Sequence, residues 1–286
     1  MPRETALDFR RKKYILTLRF LFVMAAASRR FAARYSNDTE EKGMNREIHG
    51  WWSPALNKHM DLAVYGHYGF ALLMIPTAAA DFLEYERFHL IDAIADFVNA
   101  GKVKVFSINT VNNESWFNDS IPPHYKALRH QQFNDYVFNE VIPFIHSHCH
   151  GRVMTIATGA SVGAFHSANL LFKRPDLLDG MIAMSGIYDL KYYTHGYYDD
   201  NCYFNSPMDY LPGLHDDRYL SLLREKQHIY ILSGQGPYEA PDRSRELASL
   251  LAAKGIPHYL DIWGHDMRHD WPTWRRMLPH YLGTRF

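Results

Sequence analysis

From Met60 onward the chain alternates short apolar, β-prone runs with longer stretches of helical spacing, and this alternation constrains the fold more than any other feature. "MDLAVYGH" and "FALLMIP" are the first two runs, with "YGHYG" as a hairpin-like break between them. "RFHLIDAIADFVNAG" then places Leu90, Ile91, Ile94, Phe97 and Val98 at helical spacing and stops on Gly101, a natural helix C-cap position. "VKVFSIN" reads as a buried strand, and "HYKALRHQQFNDYVFNEVIPFIHSHC" as a long helix bent or interrupted near Pro143. The strand "RVMTIAT" leads into the helix "VGAFHSANLLFKR", which ends before Pro175. "GMIAMSG" and "HIYILSG" are further strands, "PDRSRELASLLAAKG" a helix, "PHYLDIWG" a last strand and "WPTWRRMLPHYLG" a closing helix. Strands separated by helices, with continuous apolar runs in the middle strands, predict a mostly parallel sheet covered on both faces, a three-layer α/β sandwich.

A chain of 286 residues, 47% hydrophobic, can bury a sizeable core, and its length suits one large α/β domain. Lysine plus arginine balance aspartate plus glutamate at 31 each, so no broad basic field exists to grip a phosphate backbone and nucleic acid is excluded as an expected partner. The two cysteines, Cys149 and Cys202, form no CxxC pair and no disulfide framework, which suits a reducing, cytoplasmic setting. Residues 1–43 stand apart. "RRKKYILTLRFLFVMAAASRR" has the outline of a signal peptide, but Arg19 interrupts an apolar run well short of the roughly 20 residues a spanning helix needs. Stable membrane insertion is not expected. The segment reads as an extension ahead of a start at Met44, or as a secretion signal, or as a surface helix; the globular domain is expected over 44–286.

Gly159-Ala160-Ser161-Val162-Gly163 matches G-x-S-x-G where a strand pattern gives way to a helical one, the context in which the pattern carries meaning. A nucleophile on such a turn occupies a strained backbone conformation, and flanking side chains would collide with the neighbouring strand and helix, hence the glycines. Ser161 also falls at the amino end of a helix, where free N–H groups favour negative charge. The plainer reading is a glycine-rich turn with a capping serine. A serine hydroxyl needs a base to take its proton and an acid to hold that base in one tautomer. Seventeen histidines supply decoys, but the stretch after the last strand, "HDMRHDWPTW", narrows the base to His265 or His269, and "QGPYEAPDRS" after the preceding strand narrows the acid to Glu239 or Asp242. Asp242 follows Pro241 at a helix start, where the dipole alone accounts for it, so Glu239 is the expected acid. The backbone N–H of Val162 is one expected oxyanion donor.

"TGASVGAFHSANLLFKRPDLLDGMIAMSGIYDL" and "HDWPTWRRMLPHYL" together resemble an esterase family of α/β-hydrolases, the group related to esterase D, S-formylglutathione hydrolase and the mycolyltransferases. "HGWWSPALNKHMDLAVYG", "IPTAAADFLEYE" and "NNESWFNDSIPPH" look like a bacterial subgroup of that family. The resemblance runs from about Asn45 to the C-terminus. It implies the α/β-hydrolase fold and a serine carboxylic-ester or thioester hydrolase working on a small molecule through an acyl-enzyme on Ser161. It implies His269 rather than His265, since the family histidine precedes a small or acidic residue and a tryptophan, as in His269-Asp270-Trp271. It also implies Ala78, in "PTAAAD", as the second oxyanion donor; Thr77 beside it and glutamate as the acid depart from the family pattern. No metal or organic cofactor is implied.

Two further readings share the scaffold: an acyltransferase using the same nucleophile, and a non-catalytic binding protein with the Tyr-rich insert as its contact surface. "HSHCH", residues 146–150, has the residue types of a zinc site, but on a helix only His146 and His150 would share a face, so a polar helix end is the expected reading. The aromatic residues of "NNESWFND" and "YYTHGYYDDNCYF" fit either a substrate pocket or loop packing. Oligomeric state leaves no signature in the sequence.

Overall fold

A computed structural model describes residues 44–286; the signal-like segment of 1–43 lies outside the described residues. The strands are β1 (Arg46–Ser53), β2 (Lys58–Tyr65), β3 (Phe70–Ile75), β4 (Val103–Ile108), β5 (Thr155–Ala160), β6 (Gly180–Met184), β7 (His228–Ser233) and β8 (Tyr259–Ile262). They form one sheet in the order β1-β2-β4-β3-β5-β6-β7-β8. β3 through β8 pair in parallel, while β1 and β2 form an antiparallel edge.

The stretch "YGHYG" is not a hairpin. β2 and β3 do not pair with each other; both flank β4, with Leu62 opposite Ile108 on one side and Leu72 opposite Val105 on the other. All six residues of β4 are buried, so this strand gains most from a neighbour on each edge and takes the interior place. The turn that skips it depends on Gly66 and Gly69, at φ of 89° and 108°; a Cβ on Gly69 would lie 2.3 Å from the Lys102 carbonyl carbon. β1 precedes the first strand legible in the sequence; its first seven residues alternate between exposed and half-buried, so it carries no apolar run.

Every residue of β4, β5 and β6 is buried, and successive residues point to opposite faces, so both faces of the sheet are covered. On one face Leu73, Ala157 and Ile231 join a core with Phe133, Val141 and Leu171. After α1 (Ala95–Asn99), which precedes β4, Phe133 belongs to α2 (Pro123–Tyr136), Val141 to a π turn (Val137–Val141) that leads into α3 (Ile142–His148), and Leu171 to α4 (Val162–Lys173). The interruption expected near Pro143 is that π turn. The Ile142 N–H reaches back five residues to the Val137 carbonyl, and the widened turn receives Pro143, which has no N–H of its own to place. α5 (Pro241–Ala253) and α6 (Trp271–Arg285) complete the main helices. Among the described residues no helix is long and apolar enough to cross a membrane. The Tyr-rich insert carries one-turn helices at Lys191–Thr194, Asp200–Tyr203 and Pro207–Tyr210.

Candidate active site

Ser161 is the hinge between β5 and α4, at φ 57° and ψ −118°. This is a strained conformation for a residue with a Cβ, and the surroundings impose it. The Ser161 N–H donates to the Met184 carbonyl at the end of β6 (2.9 Å), while its own carbonyl accepts from Ala164 (3.1 Å). Neither flanking glycine has room for a side chain. A Cβ on Gly163 would sit 2.2 Å from the Ile75 carbonyl oxygen at the end of β3, and one on Gly159 would sit 2.5 Å from the Gly163 carbonyl carbon. Helix α4 therefore starts in backbone contact with β3, which brings the β3 loop beside Ser161.

That loop is clamped. Glu84 is wholly buried and accepts from both the Thr77 N–H (2.7 Å) and the Thr77 hydroxyl (2.6 Å). The Ala78 carbonyl accepts from Asn112 Nδ2 (2.5 Å), whose Oδ1 faces His166 Nε2 on α4 at 2.8 Å. Tyr85 donates to the Ile75 carbonyl (2.6 Å) and accepts the Ala160 N–H (3.2 Å), tying the ends of β3 and β5 together. The Ala78 N–H and the Val162 N–H donate to no group among the described residues.

Burial pushes the Glu84 carboxyl up to about 7, against the pull of the Thr77 hydrogen bonds. The unfolded carboxyl titrates near 4.3, so between these values the folded chain holds a proton that the unfolded chain has released. The stability linked to Glu84 is accordingly highest at low pH and falls as pH rises through that window. Urea unfolding of wild type and Glu84→Gln at pH 4.5 and 7.5 should show wild type losing on the order of 3 kcal/mol relative to the variant across the interval.

Glu239 lies in the loop after β7 and His269 in the loop after β8. The two loops are stitched by Gly236 N–H to the Met267 carbonyl (2.8 Å) and His269 N–H to the Pro237 carbonyl (3.1 Å). Glu239 Oε2 stands 3.6 Å from His269 Nδ1, with the glutamate side chain fully buried and the imidazole nearly so. Ser185 Oγ donates to Glu239 Oε1 (2.6 Å) and Ser233 Oγ to Oε2 (3.1 Å). Trp274 on α6 donates its indole N–H to Ser185 Oγ (3.0 Å) and meets the His269 ring edge-on at 5.2 Å. His269 Nε2 is buried and makes no hydrogen bond, to Ser161 or to any other described group. Catalytic hydrogen bonds are often loose before substrate arrives, so this leaves the atom available to a hydroxyl.

The alternatives from the sequence lie elsewhere. His265 is exposed, and Asp242, 87% exposed, pairs with Arg245 at 3.0 Å in the first turn of α5. His130 and His166 are held neutral by burial, His166 at about 3 and His130 well below the usual imidazole range. Cys149 and Cys202 are free thiols raised by burial, Cys202 to about 11. The loop aromatics divide: Trp116 and Tyr193 are buried in a cluster with Phe165 of α4, Phe117 and Tyr197 are partly open at its margin, and Tyr198 and Phe204 are exposed. In "HSHCH" it is His148, not the pair His146 and His150, that meets other ligand types. Sequence reading missed Ser185, Ser233, Glu84 and Trp274; the one available signal was that Ser185 and Ser233 end β-runs just as Ser161 does.

The sheet order and the strained strand–turn–helix carrying Ser161 define the class, an α/β-hydrolase fold. Residues 63–284 match the family described as "Putative esterase", and the chain belongs to that family and with it to the carboxylic-ester hydrolases of small molecules. No curated protein matches the sequence. Among solved structures it is similar to a ferulic acid esterase (TM-score 0.64, 17% identity, covering 84% of this chain and 96% of that one). It is also similar to S-formylglutathione hydrolase from Staphylococcus aureus (TM-score 0.58, 14% identity, 87% and 98% covered). Mycobacterium tuberculosis MPT51 is a third (TM-score 0.61, 14% identity, 84% and 97% covered). At these identities the likeness is one of fold.

Proposed function

We propose that Ser161, His269 and Glu239 are the nucleophile, general base and orienting acid of this esterase, within a catalytic domain spanning 44–286. His269 Nε2 takes the Ser161 proton as Oγ attacks the ester carbonyl, and the carbonyl π pair moves onto oxygen. The N–H groups of Val162 and Ala78 receive that oxyanion. Collapse of the tetrahedral intermediate expels the alcohol, which leaves with the proton from His269. Water then repeats the cycle against the acyl-enzyme and releases the carboxylic acid. Glu239 holds the Nδ1 proton of His269 and offsets the charge of the transient imidazolium. A thioester follows the same path with a thiol as leaving group. No cation or redox group enters these steps. A reducing cytoplasmic setting suits the two free thiols, and the balanced charge argues for a small-molecule partner over nucleic acid.

The observation that carries this reading is the positive φ of Ser161, enforced by backbone contacts at both flanking glycines. A capping serine needs no such strain: cap residues adopt extended backbone, and Ser161 makes no side-chain cap bond. A fluorophosphonate probe should label wild-type protein on the peptide containing Ser161 and fail to label Ser161→Ala. Folded wild-type protein that resists the probe would return the chain to the binding-protein reading.

A further inference from the structure

A second cluster of reactive side chains lies well apart from Ser161. Glu47 and His49 are two residues apart on the edge strand β1 and so share a face. His148, in the last turn of α3, meets them there. His49 Nε2 is 2.8 Å and His148 Nε2 3.1 Å from the same oxygen, Glu47 Oε2, and the three ligand atoms lie within 4.8 Å of one another. Phe144 leans on both imidazoles, at 5.1 Å and 5.4 Å between ring centres, and Phe106 stands edge-on to His148 at 5.7 Å. Glu47 stays ionised, held down at about 2 by hydrogen bonds from His49 and then His148. Strands β2, β4 and β3 separate β1 from β5, so the cluster is four strand steps, about 19 Å, from the strand that carries Ser161.

We propose that Glu47, His49 and His148 form a binding site for a divalent transition-metal ion of the zinc class, which staples the edge strand β1 to the C-terminal end of α3. Two imidazole nitrogens and one carboxylate oxygen select a borderline ion over calcium or magnesium, which prefer all-oxygen sites. Water completes the tetrahedron. With metal–ligand bonds of about 2.0–2.1 Å, donor atoms in a tetrahedral site lie about 3.3 Å apart, so the two nitrogen–oxygen separations of 2.8 and 3.1 Å need to widen by a few tenths of an ångström, and the two imidazole nitrogens, within 4.8 Å of each other, settle at the same spacing. In the metal-free protein each imidazole directs Nε2 at the Glu47 carboxylate; in the bound state Nε2 coordinates the ion and the ring proton sits on Nδ1. His148 Nδ1 is buried without a hydrogen-bond partner, so the ring proton gains no acceptor there. That missing outer-shell bond costs about 10–100-fold in affinity and places binding in the micromolar range.

Tag-free, chelator-treated protein should be titrated with zinc chloride by calorimetry at pH 7.5, and with cobalt(II) as a spectroscopic substitute. The expected result is one micromolar site, with the intense visible absorption of tetrahedral cobalt. His49→Gln, His148→Gln and Glu47→Gln should each weaken zinc binding by about 100-fold while leaving the circular dichroism of the protein unchanged. His146→Gln and His150→Gln should leave binding as in wild type, and zinc should raise the melting temperature of wild type but not of the three ligand variants. No saturable binding in the micromolar range would overturn the proposal. So would a micromolar site that persists without His49 and His148, which would place the ion elsewhere among the many histidines. Ester turnover is independent of this outcome, since none of the three residues approaches Ser161.

Discussion

Ser161→Ala should lower kcat/KM for a short-chain chromogenic ester by about 10⁴-fold or more while leaving KM within an order of magnitude. The residual rate would come from the oxyanion donors and from binding, which survive the loss of the hydroxyl. The fold should survive too. The bonds that hold the turn are backbone bonds, from Ser161 N–H to Met184 and from Ala164 N–H to the Ser161 carbonyl, and alanine keeps both. Alanine meets the same positive φ as serine, so melting temperatures of the two proteins should differ by no more than a few degrees. Steady-state assays with purified, probe-negative variant check the prediction, and turnover within tenfold of wild type would remove Ser161 from the mechanism. His269→Ala should fall comparably, because members of such a unit are far from additive.

How much of this was legible beforehand depends on how local the governing physics is. The glycines around Ser161 can be read from five residues because the contacts that exclude a Cβ follow from the strand–turn–helix geometry itself. Position after the last two strands narrows the proposed base and acid to two candidates each, and the members of each pair differ in burial: Glu239 and His269 are buried, Asp242 and His265 exposed. Pairing partners are a different matter. Nothing within "YGHYG" says that β4, which begins 34 residues after Gly69, will insert between β2 and β3, because that choice is made by the apolar faces of other strands. β1 escapes for the opposite reason, since an edge strand facing solvent has no apolar period to detect. The residues that steady the site, Ser185, Ser233, Glu84 and Trp274, act through contacts across 6 to 89 positions of sequence and carry no motif.

Glu239→Gln isolates what the buried carboxylate contributes. The amide is nearly isosteric and the Ser185 and Ser233 hydroxyls can still reach it, so the loop geometry should hold, but the negative charge beside His269 is gone. An amide can present its N–H₂ to the imidazole as easily as its oxygen, and the tautomer that leaves Nε2 free to accept a proton is then no longer enforced. A kcat lower by about 10²–10⁴-fold, with KM little changed, is the expected result. Glu239→Asp keeps the charge but is one methylene shorter, which opens the existing 3.6 Å separation further and should give an intermediate loss. Asp242→Asn is the decisive partner experiment. Its carboxylate is exposed and, among the described residues, pairs with Arg245, so turnover should stay within about twofold of wild type, the usual size of a surface change. The reverse pattern, a collapse in Asp242→Asn with Glu239→Gln intact, would require the loop after β7 to refold around its substrate so that an exposed carboxylate displaced a buried one already bonded by two serines.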